Sequence, residues 1–249
     1  MVNKNLGVIV NFSIKKLSFL CLFAAFMSQP VFCERIIVLG FYNQFNLSAA
    51  GAADLDHASK SACTYNALSM ANALLQNPAT EITPDFINAI LMQGAEIRNP
   101  HGDAAFPTIK EASQHSNFRH LARHESSHLM LTDHDFATQV LIQLLTDDGI
   151  ARAFIVTIRN QTFLLYRYPR LHGQQQFLLF DSHGIAATSH GSDIHPAVAI
   201  ICDNVDELMR VLQQDGFTFA RPAETDNYSE ADLMQEFQVS ITPFDLNPK

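Results

Sequence analysis

The chain has few basic residues for its size. Lysine and arginine together number 16, whereas aspartate and glutamate number 25, and the formal net charge is −9. No stretch of lysine and arginine is dense enough to neutralise a row of phosphates, so the composition argues against nucleic-acid binding. An acidic protein of this kind suits a partner with a basic surface.

The sequence also lacks internal repeats and linker-like runs. Its 249 residues are enough for one substantial domain, and a hydrophobic content of 47% argues against disorder. We expect a monomer with one domain over residues 34–222. A peripheral C-terminal helix and tail are expected over residues 223–249.

The N-terminal apolar run, residues 17–27, is too short to span a bilayer comfortably. Lysines precede this run and Pro30 follows it, which is the pattern of a signal peptide. We predict a signal peptide over residues 1–33 that is cleaved after Cys33. The mature protein is then exported, with no stable membrane insertion. The alternative is a buried N-terminal helix or an uncleaved anchor.

A strand-like run ends in a group of polar residues. Phe-Leu-Leu-Phe at 177–180 leads into Asp181, Ser182, His183 and Gly184, which predicts a buried strand that ends at a turn. Side chains at i and i+2 of a strand share a face, so we expect Asp181 beside His183 and Ser182 facing away. A carboxylate beside an imidazole orients the ring and stabilises its protonated form. This pattern predicts a general base.

Cys63 is the candidate nucleophile for that base. Apolar residues at helical spacing follow it up to Leu75, and Ser59 and Ser61 precede it as candidate N-caps. A cysteine in the first turn of a helix is favoured as the thiolate. The alternative is a small buried hydrophobic residue. Asn66 either supports this helix start or lies on the helix surface.

Two short blocks resemble a known family. Cys63 begins the block Cys-Thr-Tyr-Asn-Ala-Leu, and His183 ends the block Leu-Phe-Asp-Ser-His. Both resemble the catalytic blocks of the herpesvirus large tegument protein deubiquitinases, whose cysteine-protease relatives occur in cells and bacteria. The resemblance implies a papain-like fold, a catalytic triad of Cys63, His183 and Asp181, and an oxyanion donor at Gln44. No cofactor or metal is needed for this chemistry.

The resemblance also implies a partner and a destination. The substrate is ubiquitin or a ubiquitin-like protein, cleaved at the isopeptide bond after its C-terminal glycine. Ubiquitin is a cytosolic eukaryotic substrate, so the signal peptide together with the resemblance implies a bacterial protein delivered into a host cell. Cys202 lies in a strand-like apolar run and is expected in the core, because a disulfide to Cys63 would abolish the nucleophile.

The order of predicted elements is α+β. Helices are predicted over residues 83–93 and 136–145, and strands over residues 151–158, 162–168 and 176–181. A papain-like fold requires this order, in which helices precede antiparallel strands. In such a fold the nucleophile helix packs on the sheet. Residues 99–115 are expected to form a loop or small insertion.

A zinc protease is the rival interpretation. His124, Glu125 and His128 match an HExxH pattern, and His134 has the spacing of a third ligand. On a helix the first two histidines would share one face, with Glu125 as general base. Leu131 stands where the longer motif has glycine, which argues against the match. A further alternative is an inactive papain-like module that only binds its partner.

Overall fold

The computed structural model divides the chain into two units, Met1–Cys33 and Glu34–Lys249. The described residues all lie in the second unit, so the predicted signal peptide lies outside them. They are residues 35–42, 44, 47, 62–99, 107–147, 152–158, 161–184, 196–213, 229 and 237–247.

A single antiparallel sheet organises the described part of the chain. Its strand order is β1-β7-β6-β5-β4-β8-β2, and β3 pairs with β8 beside β2. All the strand pairings are antiparallel. The eight strands found in these ranges are β1 (Ile36–Leu39), β2 (Leu121–Arg123), β3 (Ser127–Met130), β4 (Arg152–Ile158), β5 (Gln161–Arg167), β6 (Phe177–Asp181), β7 (Val198–Cys202) and β8 (Gln238–Leu246).

Helices accompany the sheet. Thr83 caps the second of them, since its hydroxyl accepts a hydrogen bond from the Phe86 N–H at 3.1 Å and Pro84 starts the first turn. No helix in the described ranges is long and apolar enough to cross a membrane. The helices there are α1 (Cys63–Gln76), α2 (Pro84–Arg98), α3 (Ile109–Ser113), α4 (His134–Thr146) and α5 (Val205–Gln213), with short 3-10 turns at Ser116–Phe118 and Leu131–Asp133.

The sheet separates two apolar clusters because successive strand residues point to opposite faces. In β6, Leu178 and Phe180 face the cluster built with α1 and α2. Phe177 and Leu179 face the other cluster, built with α4 and α5. Both faces of the central strands are therefore covered by helices, and these strands read as continuous apolar runs rather than as alternating ones.

The predicted class is confirmed at this level: helices and an antiparallel sheet make up a mixed α and β domain. The helices expected over residues 83–93 and 136–145 are present and slightly longer than predicted. The three expected strands correspond to β4, β5 and β6. Hydrophobic spacing was sufficient here because each element buries a long apolar face.

The C-terminal segment differs from the prediction. Instead of a peripheral helix and tail, Gln238–Leu246 forms β8, which lies between β4 and the pair β2 and β3. Pro243 argues against an interior strand from sequence alone. Its carbonyl accepts a hydrogen bond from the His124 N–H at 2.9 Å. The N–H and C=O of one residue in an antiparallel strand point to the same side, so the missing N–H of Pro243 faces His124, beyond the end of β2, and the pairing with β4 loses no bond.

The expected loop over residues 99–115 also needs correction, in its described part. Residues Ile109–Ser113 form α3, which begins with a capping box. The Thr108 hydroxyl accepts from the Glu111 N–H at 3.2 Å, and the Glu111 carboxylate accepts from the Thr108 N–H at 2.9 Å. This reciprocal pair stabilises a helix too short to show a hydrophobic period.

Candidate active site

Cys63 is the first residue of α1 and is almost fully buried, with 3% of its surface exposed. The N-cap is Ala62, which makes no side-chain cap; the predicted caps, Ser59 and Ser61, lie outside the described residues. The first helical hydrogen bond runs from the Asn66 N–H to the Ala62 carbonyl at 2.8 Å. The sulfur therefore lies near the unpaired N–H groups of the helix start, where negative charge is favoured.

Asp181 and His183 meet at the end of β6. Asp181 Oδ1 accepts from the His183 backbone N–H and lies 2.9 Å from both that nitrogen and His183 Nδ1. Strand β6 ends at Asp181, and a bend follows before Gly184, whose φ is 83°. The carboxylate thus fixes the backbone and the ring together. With Nδ1 bound to Asp181, Nε2 is the ring nitrogen left for another partner.

That partner is the Cys63 thiol, which forms a hydrogen bond with the His183 side chain. Burial is the largest single influence and raises the pKa of the Cys63 thiol, but the opposing influences, chiefly the hydrogen bond and charge of His183, together lower this pKa below its ordinary value of 9.0. Hydrogen bonds from the backbone and side chain of Thr162 act in the same direction. The site therefore favours a thiolate.

The histidine shows the complementary change. Burial lowers the pKa of the His183 imidazole, yet the hydrogen bonds and negative charges of Asp181 and Cys63 raise this pKa to about 10. The two shifts describe one coupled pair, in which a proton moves from sulfur to the ring. Cys63, which is distant in the chain from the neighbouring Asp181 and His183, is thus brought to them, and the shifts favour a thiolate, an imidazolium and a carboxylate.

Gln44 lies next to this group and is buried. Its side-chain oxygen accepts a hydrogen bond from the Ser182 hydroxyl at 2.8 Å and from Asn66 Nδ2 at 3.4 Å. Its backbone N–H donates to the Ser182 carbonyl at 3.1 Å. Because two donors hold the oxygen, the amide presents its N–H groups on its other side. Ser182, expected only to face away from the pair, orients this amide.

Asn66 is held by close packing against α2. It is fully buried, and a β-carbon placed on Gly94 would lie 1.9 Å from Asn66 Oδ1. Only glycine leaves room for this amide at the crossing of α1 and α2. Of the two alternatives for Asn66, the supporting role is the one observed, since its amide contacts Gln44 from within the helix that carries Cys63.

A cleft of about 340 Å³ opens beside Cys63 on the α1 side of the sheet. Thr157 and Thr162 lie opposite each other in the β4–β5 pair and form part of its wall. Thr64 of α1 donates to Thr162 at 3.3 Å. Cys63 is buried, and it forms part of the wall of this cleft.

The HExxH segment does not form the helix that a zinc site requires. His124 follows β2 and His128 lies in β3, so the two histidines do not share a helical face, and that prediction is wrong. His124 Nε2 instead contacts Asp245 Oδ2 at 2.9 Å, and His134 begins α4. Pairing of β2 and β3 with β8 makes the backbone extended on both sides of this segment. The consecutive serines 126 and 127 have a low helix propensity, so they do not resist this conformation.

Two further observations concern the cysteines and the metal-ligating residue types of the described ranges. Cys63 and Cys202 are both free thiols, and burial raises the pKa of Cys202 to about 12. No group of three or more His, Cys, Asp or Glu residues in the described ranges is arranged to hold a metal ion.

Comparison with protein-family models gives no match, and comparison with curated protein sequences gives none either. The functional interpretation therefore depends on the geometry of the site and on the short sequence blocks around Cys63 and His183.

Sequence reasoning did not identify Thr162 or Gly94 as parts of the site. Thr162 contacts the thiol from β5, and Gly94 makes room for Asn66 from α2. A threonine in a strand and a glycine in a helix carry no motif of their own. Gly94 alone gives a signal, because a glycine inside an apolar helical pattern often marks a close packing contact.

Proposed function

We propose that the protein is a cysteine isopeptidase that removes ubiquitin or a ubiquitin-like protein from its conjugates. The observation that carries this proposal is the set of buried Cys63, buried His183 and half-buried Asp181, in which the thiol contacts the imidazole and the imidazole contacts the carboxylate at 2.9 Å. Nucleophile, base and orienting acid are thus joined in the order that thiol acyl transfer requires.

The first chemical step forms a thioester. The Cys63 thiolate attacks the carbonyl carbon of the isopeptide bond, and the carbonyl oxygen becomes an oxyanion. The His183 imidazolium then gives its proton to the leaving amine nitrogen as the carbon–nitrogen bond breaks. Asp181 keeps the ring oriented and stabilises its positive charge before that transfer.

The second step releases the product. Neutral His183 takes a proton from water, whose oxygen attacks the thioester carbonyl. The carbon–sulfur bond breaks, the carboxylic acid leaves, and the thiolate–imidazolium pair is restored. Every proton moved in the cycle passes through His183 Nε2, because Nδ1 is bound to Asp181.

Gln44 is the proposed side-chain donor to the oxyanion. Its amide oxygen is held by Ser182 and Asn66, so the amide is oriented before the substrate arrives. The Cys63 backbone N–H at the start of α1 is the second donor. A donor that is already oriented contributes about 3–4 kcal/mol to transition-state stabilisation in related acyl transfers.

The substrate class comes from the resemblance to the herpesvirus tegument deubiquitinases. We infer a papain-like arrangement from α1, which carries the nucleophile, and from the antiparallel strand β6, which ends at the acid and base. We also infer delivery of an exported bacterial protein into a host cell, since ubiquitin is cytosolic and a free Cys63 thiol suits a reducing compartment.

A ubiquitin probe with an electrophilic C-terminus tests this function. The purified protein should form a covalent adduct at Cys63, identified by mass mapping, and cleave ubiquitin conjugates. Cys63→Ala should remove both properties, whereas Cys202→Ala should keep them. An adduct at another residue, or conjugate cleavage by Cys63→Ala, would contradict the nucleophile assignment. A folded protein that forms no adduct would instead be the inactive binding module.

A further inference from the structure

The cleft beside Cys63 has positively charged groups on its lining although the chain as a whole is acidic. Lys110 of α3 and Arg123 of β2 line it, together with His128 of β3. Among the described residues that line the cleft, none is an aspartate or a glutamate. The charged side chains that line this cleft are thus opposite in sign to the formal net charge of −9 of the whole chain.

Hydroxyl groups form most of the remaining wall. The hydroxyl of Thr162 lies 3.1 Å from that of Thr157, and the hydroxyl of Ser126 lies 2.8 Å from that of Thr242. Ser240 adds another hydroxyl on the same side of the sheet. A hydroxyl can both donate and accept a hydrogen bond, so this wall can bind polar groups of either charge. The preference for a negatively charged ligand therefore comes from Lys110 and Arg123.

Arg123 is the best placed of these cations. It is the last residue of β2 and pairs with Phe244 of β8, so its backbone is fixed in the sheet. Among the described residues no carboxylate forms an ion pair with it; the nearby Asp245 is bound by Arg152 at 3.3 Å and by His124 at 2.9 Å. The guanidinium of Arg123 therefore has its planar set of donors available to a ligand.

We propose that this cleft binds a carboxylate-bearing side chain of the substrate, close to the bond that Cys63 attacks. The position of that bond rests on the proposed function, whereas the preference for a carboxylate rests on Arg123 and Lys110. A thiolate and an imidazolium together carry no net charge, and the remaining negative charge of the site, on Asp181, lies on the Nδ1 side of the ring, where it is paired with His183. The enzyme thereby selects acidic sequence around its cleavage site.

Peptide binding to the inactive full-length Cys63→Ala protein tests this selection without requiring catalysis. The probes are two glycine-rich peptides that differ only in one residue, glutamate or glutamine, and binding is followed by NMR titration. The glutamate peptide should bind about tenfold more tightly, as one charge-assisted hydrogen-bonded pair at a cleft wall allows. Adding Arg123→Gln should reduce the difference, and adding Arg123→Gln together with Lys110→Gln should abolish it.

The matched control is Arg119→Gln, which removes the same charge from an exposed position outside the cleft. It should leave the preference for glutamate unchanged. Equal affinity of the two peptides, no binding of either, or a preference that survives the removal of both Arg123 and Lys110 would overturn the proposal. If the protein prefers the glutamate peptide but does not react with the ubiquitin probe, the cleft's preference for a carboxylate is supported and the proposed isopeptidase activity is contradicted.

Discussion

Two histidine–aspartate pairs in this protein have the same separation and different surroundings. His183 Nδ1 lies 2.9 Å from Asp181, and His124 Nε2 lies 2.9 Å from Asp245. The side chains of the first pair are 6% and 14% exposed, whereas those of the second are 47% and 20% exposed.

Their neighbours differ as well. His183 has the Cys63 thiol as its second partner, and Asp181 serves that histidine. Asp245 is shared between His124 and Arg152, so its charge is already neutralised at the surface. Burial keeps solvent from screening the first pair, and the thiol gives the ring a proton to accept. A histidine and an aspartate at hydrogen-bonding distance are thus not sufficient for a catalytic site.

The largest expected effect on the reaction rate is that of replacing Asp181, compared with the same replacement at Asp245. Asp181→Asn should lower kcat for cleavage of ubiquitin conjugates by roughly 10³- to 10⁴-fold, because the ring loses its orientation and the imidazolium loses its counter-charge. The equivalent Asp245→Asn should change kcat by less than about twofold, since surface ion pairs contribute little. Steady-state kinetics on both variants measures this. Equal losses would show that the two pairs are functionally alike.

A smaller effect is expected at the proposed oxyanion donor. Gln44→Ala should lower kcat by about 10²-fold with little change in KM, because the lost hydrogen bond strengthens only in the transition state. Gln44→Glu is the informative partner variant: it keeps the size of the side chain but opposes an oxyanion with a negative charge. It should be at least as impaired as Gln44→Ala. Full activity of Gln44→Glu would remove Gln44 from the mechanism.

Among the substitutions expected to slow the reaction, Ser182→Ala should have the smallest effect. The Ser182 hydroxyl donates to the Gln44 side-chain oxygen, and one neutral hydrogen bond contributes about 1 kcal/mol, or roughly fivefold in rate. The loss should disappear when Gln44 is already alanine, because Ser182 acts through that amide. A fivefold loss that persists in the Gln44→Ala background would assign Ser182 a separate role.

The packing that supports this network can be tested by stability. Gly94→Ala should lower the free energy of unfolding by about 1–3 kcal/mol, since its β-carbon would meet the Asn66 amide at 1.9 Å. The double variant Gly94→Ala with Asn66→Ala should recover part of this loss, because Oδ1 and Cγ of Asn66 are gone while its backbone nitrogen, 2.9 Å from the added β-carbon, remains. Chemical denaturation of the native protein, the two single variants and the double variant decides the point; additive losses would contradict the contact.

The contacts of the candidate site differ in how well the sequence alone predicts them. The contact of Asp181 with His183 was predictable because two residues separated by one neighbour at a strand end are confined to a small volume. Cys63 was predictable as a helix start from the apolar spacing after it. That the chain brings Cys63 to His183 required the tertiary fold.

Other features had no local signal. The HExxH spacing suggested a helix, yet pairing of β2 and β3 with β8 sets the backbone there, and β8 itself is interrupted in sequence by Pro243. The pairing partners lie more than a hundred residues apart, which no local pattern records. The supporting contacts of Asn66 and Thr162 depend on the same long-range packing.

The most direct test of the account is the pH dependence of Cys63 alkylation by iodoacetamide, with the modified residue identified by mass spectrometry. In the native protein His183 lowers the pKa of the thiol, so alkylation should remain fast well below pH 9. In His183→Ala the thiol pKa is set by burial, which raises it, and by the weaker opposing hydrogen bonds of Thr162. The alkylation profile should therefore move to higher pH. His124→Ala should match the native protein. A native profile that coincides with that of His183→Ala would contradict the thiolate–imidazolium pair.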